Sequence, residues 1–267
     1  MHPFLRHPGP VPMVHRGGPR GTSDGAVPVA DPDFVENTAA AFRRAYRLGF
    51  RYFETDVHAT RDGVLVASHD ASLARVGGYR VRVADLTVGD LEELPVGGEP
   101  LPRLSELLAE FSEVRFNIDP KADAAVRPLV DLLTATDLVE RVCVASFSDR
   151  RLRWVRAALG PKVCTAAGPR ELAAATGQAG RGQPLEVPGV DVLQIPRVLA
   201  RQLPGVRGRG IDLLAAAQRV GMPVHVWTVN DAAEMDLLLQ RGVDGVMSDD
   251  IALLESVFRA HGWVPRT

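Results

Sequence analysis

The stretch FETDVHATRDG, Phe53–Gly63, places Glu54, Asp56 and His58 two residues apart inside an apolar run. Alternate residues of a β-strand share a face. Tyr52, Glu54, Asp56 and His58 therefore point one way, and Phe53, Thr55 and Val57 the other. The apolar set suits contact with a helix layer. The ionisable set then faces the interior of a closed sheet, with His58 nearest the C-terminal mouth. Uncompensated buried carboxylates are too costly to be incidental, so this strand reads as part of a site.

Working outward, strand-like runs recur at Val11–His15, Tyr52–His58, Val114–Asp119, Val142–Phe147, Lys162–Ala166, Val190–Ile195, Pro223–Val229 and Gly245–Ser248. They are short, rich in β-branched or aromatic residues, and bounded by turn residues. Helix-like segments follow at Phe34–Leu48, Leu104–Phe111, Ala122–Thr136, Asp149–Leu159, Pro169–Thr176, Ile211–Val220, Ala232–Arg241 and Ile251–Ala260. Ser148–Asp149, Pro169 and Asp231 are start signals, and Gly49, Gly160, Gly177, Gly221 and Gly242 are stops. Regular strand–helix alternation predicts parallel strands with helical crossovers, and eight repeats predict a (β/α)8 TIM barrel. A doubly wound open sheet is the competing architecture. Asp62–Gly63 is a hairpin signal between two strand-like runs. The segment about 70–102 reads as a small insertion after the second strand, so that the whole chain forms one barrel domain. Gly180–Gly189 and Gly205–Gly210 read as loops.

The third strand repeats the alternation of the second. In VRFNIDPK, Asn117, Asp119 and Lys121 share a face, which brings Asp119 and Lys121 to the same mouth. Barrel enzymes hold their catalytic groups at that end. Three carboxylates, Glu54, Asp56 and Asp119, with no cysteine beside them favour a hard cation such as Mg²⁺ or Ca²⁺. The first strand ends in His15, Arg16 and Gly17. Arg16 can grip an anionic oxygen bidentately. Against the three carboxylates stand a divalent cation, Arg16 and Lys121, which leaves the pocket mildly positive and suited to a monoanionic phosphodiester. His15 and His58 remain for proton transfer near neutral pH. His225 shares an inward face with Trp227 one layer deeper and reads as a hydrogen-bonded core histidine. Asp244 and Asp249 read as residues that fix loops, and His69–Asp70 as positioning the strand after the hairpin.

These residues resemble the glycerophosphodiester phosphodiesterase family over most of the chain, from about Pro12 to Val257. The likeness lies in HRG at His15–Gly17, EN and Thr38 at Glu36–Thr38, ETDVH at Glu54–His58, DGVLVASHD at Asp62–Asp70 and DLT at Asp85–Thr87. It continues in PLPRLSELL at Pro100–Leu108, IDPK at Ile118–Lys121, SF at Ser146–Phe147, WTVN at Trp227–Asn230 and GVDGVMSDD at Gly242–Asp250. The resemblance implies a TIM barrel and metal-dependent hydrolysis of glycerophosphodiesters to glycerol 3-phosphate and an alcohol. It implies Glu54, Asp56 and Asp119 as metal ligands, His15 and His58 as the acid/base pair, and Arg16 and Lys121 as phosphate-binding groups. It also implies Trp227 as an aromatic wall for the alcohol and Glu36 as a supporting group that orients His15. Two departures stand out. Asp119 occupies a position where the family usually has glutamate, and ASLARVGGYR after His69–Asp70 lacks the family's Arg-Thr-Thr-like continuation. The alternatives are a lysophospholipase D or sphingomyelinase D-like enzyme acting on lipid diesters, and a barrel that binds a phosphorylated ligand without cleaving it.

Bulk composition agrees with a small-molecule enzyme. Of 267 residues, 31 are Lys or Arg and 33 Asp or Glu, for a formal net charge of −2. No basic run suggests nucleic acid or a membrane surface. No apolar run approaches a membrane span or a signal peptide, so a cytoplasmic location is expected. Cys143 and Cys164 read as buried apolar residues too far apart in sequence to suggest a disulfide. The oligomeric state is open.

Overall fold

The two halves of the chain meet around β1 (Val11–His15), which pairs in parallel with β2 (Tyr52–Ala59) on one side and β8 (Gly245–Ser248) on the other. The computed structural model describes residues 1–21, 29–30, 35–200 and 212–266. On one side the parallel ladder runs from β2 to β3 (Arg115–Pro120), β4 (Val142–Val144) and β5 (Cys164–Thr165). On the other it runs from β8 to β7 (Val224–Trp227) and β6 (Leu193–Pro196). β5 and β6 are joined by a parallel bridge between Ala166 and Val192. Backbone bonds from Ala167 N to Val192 O and from Asp191 N to Thr165 O flank it, each 3.0 Å, and close the ring.

Each strand leads to a helix on the outside. These are α1 (Ala39–Arg47), α2 (Leu104–Glu110), α3 (Val126–Ala135), α4 (Asp149–Leu159), α5 (Pro169–Gly180), α6 (Leu213–Arg219), α7 (Ala232–Gln240) and α8 (Ile251–Ala260). The expected boundaries hold within a few residues, and local chemistry explains most differences. α1 starts at Ala39 because the Thr38 hydroxyl accepts from Ala41 N. α6 starts at Leu213 because Asp212 caps Ala215 N. The expected starts at Phe34 and Ile211, and the loop Gly205–Gly210, lie outside the described residues. β4 ends three residues early because Ser146–Ser148 turn to cap α4.

Two apolar layers follow from the alternation. Phe53 and Val57 of β2, Phe116 and Ile118 of β3 and their counterparts pack outward against the helices. Val11, Met13, Tyr52, Cys143, Cys164 and Met247 fill the ring's lower interior, and Phe4 closes it from below. The Tyr52 hydroxyl donates to Phe4 O at 3.1 Å. Cys143 and Cys164 are both free and buried, and they face each other in register across β4 and β5. Their sequence separation hid this adjacency.

The insertion forms its own small cluster of Val66, Leu73, Val83, Leu91, Val96 and Leu101. It begins as a hairpin. Beyond Asp56, β2 also pairs antiparallel with Leu65–Ala67, with His58 opposite Val66. The turn is set by the Thr60 hydroxyl, which accepts from Val64 N, and by Gly63 at φ 81°. The returning strand carries Ser68 back to Asp56, where Ser68 N donates to Asp56 O at 2.9 Å. Among the described residues no helix is long and apolar enough to cross a membrane.

Candidate active site

At the C-terminal end of the ring lies a cavity of about 340 Å³. His15, Arg16, Glu54, Asp56, Asp119, Lys121 and Trp227 all line it, together with His69. Register explains the convergence. His15 pairs with Glu54 across β1 and β2, and Asp56 pairs with Asp119 across β2 and β3. Same-face neighbours along a strand are about 6.5–7 Å apart, so Glu54 sits one layer below Asp56.

His15 is held firmly. Its Nδ1–H donates to Asp249 Oδ1 at 2.5 Å, and its Nε2 lies 3.5 Å from Glu54 Oε2. Asp249 is itself placed by Asn230, whose Nδ2 donates to Asp249 Oδ2 at 2.8 Å and whose Oδ1 accepts from Asp249 N. Burial pulls the His15 pKa down, but the charges of Glu54 and Asp249 outweigh it and the net shift is upward. Arg16 is presented by an unusual backbone. Its φ is 53°, and its N–H is tied to Glu54 O. The next residue must be glycine, since a Cβ at Gly17 would come within 2.7 Å of the Ala41 Cβ.

The carboxylates share two cations. Arg16 Nε is 2.9 Å from Asp56 Oδ2, and Lys121 Nζ is 2.7 Å from Asp56 Oδ1 and 3.0 Å from Asp119 Oδ2. Burial alone would raise the Asp56 pKa, yet Arg16 and Lys121 hold it below the usual range. Burial, and then the Asp56 charge, push Glu54 up to about 7. Burial likewise raises Asp119 against the pull of Lys121.

Among the described residues no group of three or more His, Cys, Asp or Glu forms a ready metal cage. The donor chemistry nevertheless fits a hard cation. Glu54 Oε2, Asp56 Oδ2 and Asp119 Oδ1 are all buried and accept no well-aligned hydrogen bond, although His15 Nε2 lies 3.5 Å from the first and Arg16 Nε 2.9 Å from the second. Three such oxygens on adjacent strands are the kind of set that Mg²⁺ or Ca²⁺ satisfies.

Two expected roles look different in the fold. His58 is buried but is not on the cavity wall; its Nε2–H donates to His69 O at 3.3 Å, and burial lowers its pKa. The hairpin is the reason. β2 pairs with Leu65–Ala67 at His58, and the returning chain brings His69, whose carbonyl His58 holds, to the cavity wall. The His69 Nδ1–H donates to Asp70 Oδ1 at 2.7 Å, the same arrangement as His15 with Asp249. Glu36 does not reach His15. It pairs with Arg16 at 3.5 Å and with Arg75 at 2.6 Å. The carboxylate bonded to His15 Nδ1 is Asp249.

The opposite wall is apolar. Ala145, Ala166, Ala167, Pro169, Leu172 and Pro196 line it, and Trp227 meets Phe147 edge-on with centroids 5.5 Å apart. Asn117 and Gln194 form the floor, joined by a 2.9 Å bond. One side of the cavity is thus charged and the other is greasy, which suits a phosphate ester with an organic substituent.

The family model for the glycerophosphoryl diester phosphodiesterase family matches residues 15–253. This chain belongs to that family. The phosphodiesterase is similar to a protein of Mycobacterium tuberculosis named probable glycerophosphodiester phosphodiesterase 2, at 35% identity over 265 residues, covering 97% of this chain and 94% of the relative. It superimposes on the glycerophosphodiester phosphodiesterase of Agrobacterium tumefaciens with a TM-score of 0.72 at 21% identity, over 93% of this chain and 100% of that one. An Oleispira antarctica phosphodiesterase solved with its product sn-glycerol-3-phosphate gives a TM-score of 0.68 at 19% identity, over 94% and 96% of the two chains. These solved structures share the barrel, and family membership makes the protein a phosphoric diester hydrolase.

Proposed function

We propose that this phosphodiesterase hydrolyses glycerophosphodiesters to glycerol 3-phosphate and an alcohol, using two imidazoles and a divalent cation. The observation that carries the reading is that His15 and His69 both line the cavity, each with its Nδ1–H on a carboxylate, Asp249 or Asp70. That pairing leaves each Nε2 for proton exchange and stabilises the imidazolium when it forms. His69 takes the role that the sequence assigned to His58, while His58 holds the His69 backbone.

In the reaction one imidazole removes a proton from the attacking oxygen. The other delivers a proton to the alcohol oxygen as its bond to phosphorus breaks. Arg16 and Lys121 face the same space and offset charge that builds on the phosphoryl oxygens. Glu54, Asp56 and Asp119 are the residues that would hold Mg²⁺ or Ca²⁺, which supplies charge neutralisation at the phosphoryl group. The sn-glycerol-3-phosphate held by the Oleispira relative supports a glycerol-containing substrate here. Trp227 and Phe147 offer the released alcohol an aromatic face.

The test is release of choline or ethanolamine from glycerophosphocholine and glycerophosphoethanolamine, run beside a lysolipid and bis(p-nitrophenyl) phosphate with metal add-back. The reading expects the two water-soluble glycerophosphodiesters to be preferred. A clear preference for the lysolipid would move the protein to lipid diesters, and no turnover of any diester with any divalent ion would refute the reading.

A further inference from the structure

One charged chain outside the cavity connects both sides of the site. Arg75 sits on the short insertion helix Ala74–Gly77. Its two terminal nitrogens donate to Glu36, NH1 to Oε2 at 2.9 Å and NH2 to Oε1 at 2.6 Å. Its Nε donates to Asp70 Oδ2 at 2.6 Å. The second oxygen of Asp70 accepts from His69 Nδ1, and Glu36 Oε1 reaches Arg16 at 3.5 Å. One guanidinium therefore joins the carboxylate behind His69 to the carboxylate behind Arg16.

We infer that Arg75 is a positioning residue that sets His69 and Arg16 in mutual register across the reacting phosphate. The inference rests on the reading of His69 as one of the two proton-exchanging groups. Three features favour it over an ordinary surface ion pair. Bidentate pairing inside a network is the arrangement in which exposed ion pairs have a measurable effect. Only a planar fork can serve Glu36 through two nitrogens and Asp70 through the third; a lysine cannot. And the helix carrying Arg75 is anchored, because Leu73 at its start is fully buried in the insertion's own cluster. Among the described residues, the segments that carry Glu36 and Asp70 share no backbone hydrogen bond with each other. Without Arg75, Glu36 would keep only its longer contact to Arg16 and Asp70 its bond to His69, and nothing would join the two carboxylates. The insertion thus acts as a clamp on the site as well as a cover beside it.

Misplacement of a reacting group by about 1 Å costs on the order of 100-fold in rate, so Arg75→Ala is expected to lower kcat for glycerophosphocholine by about 10- to 100-fold. KM is expected to change little, because Arg75 does not touch the cavity. Guanidinium at a sub-denaturing concentration should restore part of the lost kcat in Arg75→Ala, and Arg75→Lys should fall between the alanine variant and the parent. A structural role alone would lower the melting temperature and would not respond to guanidinium. Unchanged kcat in Arg75→Ala, or a loss that neither guanidinium nor lysine relieves, overturns the inference. His69→Ala is run in parallel. If it retains turnover, the reading of His69 itself has failed; if it is dead while Arg75→Ala is unaffected, only the role of Arg75 has failed.

Discussion

His15 Nδ1 and Asp249 Oδ1 stand 2.5 Å apart, although 234 residues separate them in the chain. β1 and β8 are neighbours in the ring, and both end at the same rim, which is why the pair can form. Asn230, at the end of β7, locks the Asp249 carboxylate from the other side. Asp249→Asn keeps the size of the side chain and removes the charge that stabilises an imidazolium. It also allows the unproductive tautomer of His15. Turnover of glycerophosphocholine is expected to fall by about 100-fold or more, with the far-ultraviolet dichroism unchanged. A variant within a few-fold of the parent would show that Asp249 only fixes the loop.

The two histidines near the hairpin make opposite predictions. His69 lines the cavity, whereas His58 supports it through a backbone carbonyl. His69→Ala and His15→Ala should each lose at least about 100-fold in kcat, in line with the loss of a general acid or base. His58→Ala should lose much less, since a backbone hydrogen bond contributes only about 1 kcal/mol. Steady-state assays of the three variants decide the matter. The reverse order, with His58→Ala inactive and His69→Ala active, would restore the assignment read from the strand alternation.

The proposed exchange of His58 for His69 shows what a sequence can and cannot expose. Glu54, Asp56 and Asp119 were legible because a strand has period two, and a carboxylate in an inward register has few explanations. Arg16, Lys121 and Trp227 were legible for the same reason, lying at or just beyond strand ends. His58 satisfied the same rule, but the rule stops where a strand leaves the ring, and β2 begins a second pairing near that residue. The Asp62–Gly63 turn was visible. Its register is what matters: the pairing of His58 with Val66 returns Ser68 to Asp56 and makes His69 the next residue to reach the rim. Asp249 and the Cys143–Cys164 neighbours needed the ring itself. Their contacts depend on the register between neighbouring strands, which no local pattern encodes.

Removal of divalent ions should abolish activity. Glu54 Oε2, Asp56 Oδ2 and Asp119 Oδ1 are buried and accept no well-aligned hydrogen bond, with Arg16 and His15 close to two of them, and a hard cation would satisfy the remaining lone pairs. Chelation is expected to bring hydrolysis to background, with recovery on adding Mg²⁺ or Ca²⁺. Asp119→Asn should raise the ion concentration needed for half-maximal activity by at least about tenfold, because one anionic donor is lost. Full activity in excess chelator, after exhaustive dialysis, would remove the cation from the scheme.

His225 gives the clearest dependence of stability on pH. It faces the ring interior, is 2% exposed, and pairs in register with Gly245. The sequence suggested a hydrogen-bonded core histidine, but its Nδ1 is buried without a partner. Burial lowers its pKa from 6.5 to about 4. The unfolded chain therefore binds this proton more readily than the folded one. The neutral ring is fully tolerated above pH 6.5, and stability is lost as pH falls from 6.5 towards 4. A shift of that size corresponds to about 3 kcal/mol, or a drop of roughly 10 °C in melting temperature for a chain of this length. Thermal unfolding of the parent and of His225→Leu across this range isolates the contribution, because the variant should lose the part of the acid-side slope that His225 supplies. If both proteins lose stability with the same slope, the proton is taken up elsewhere.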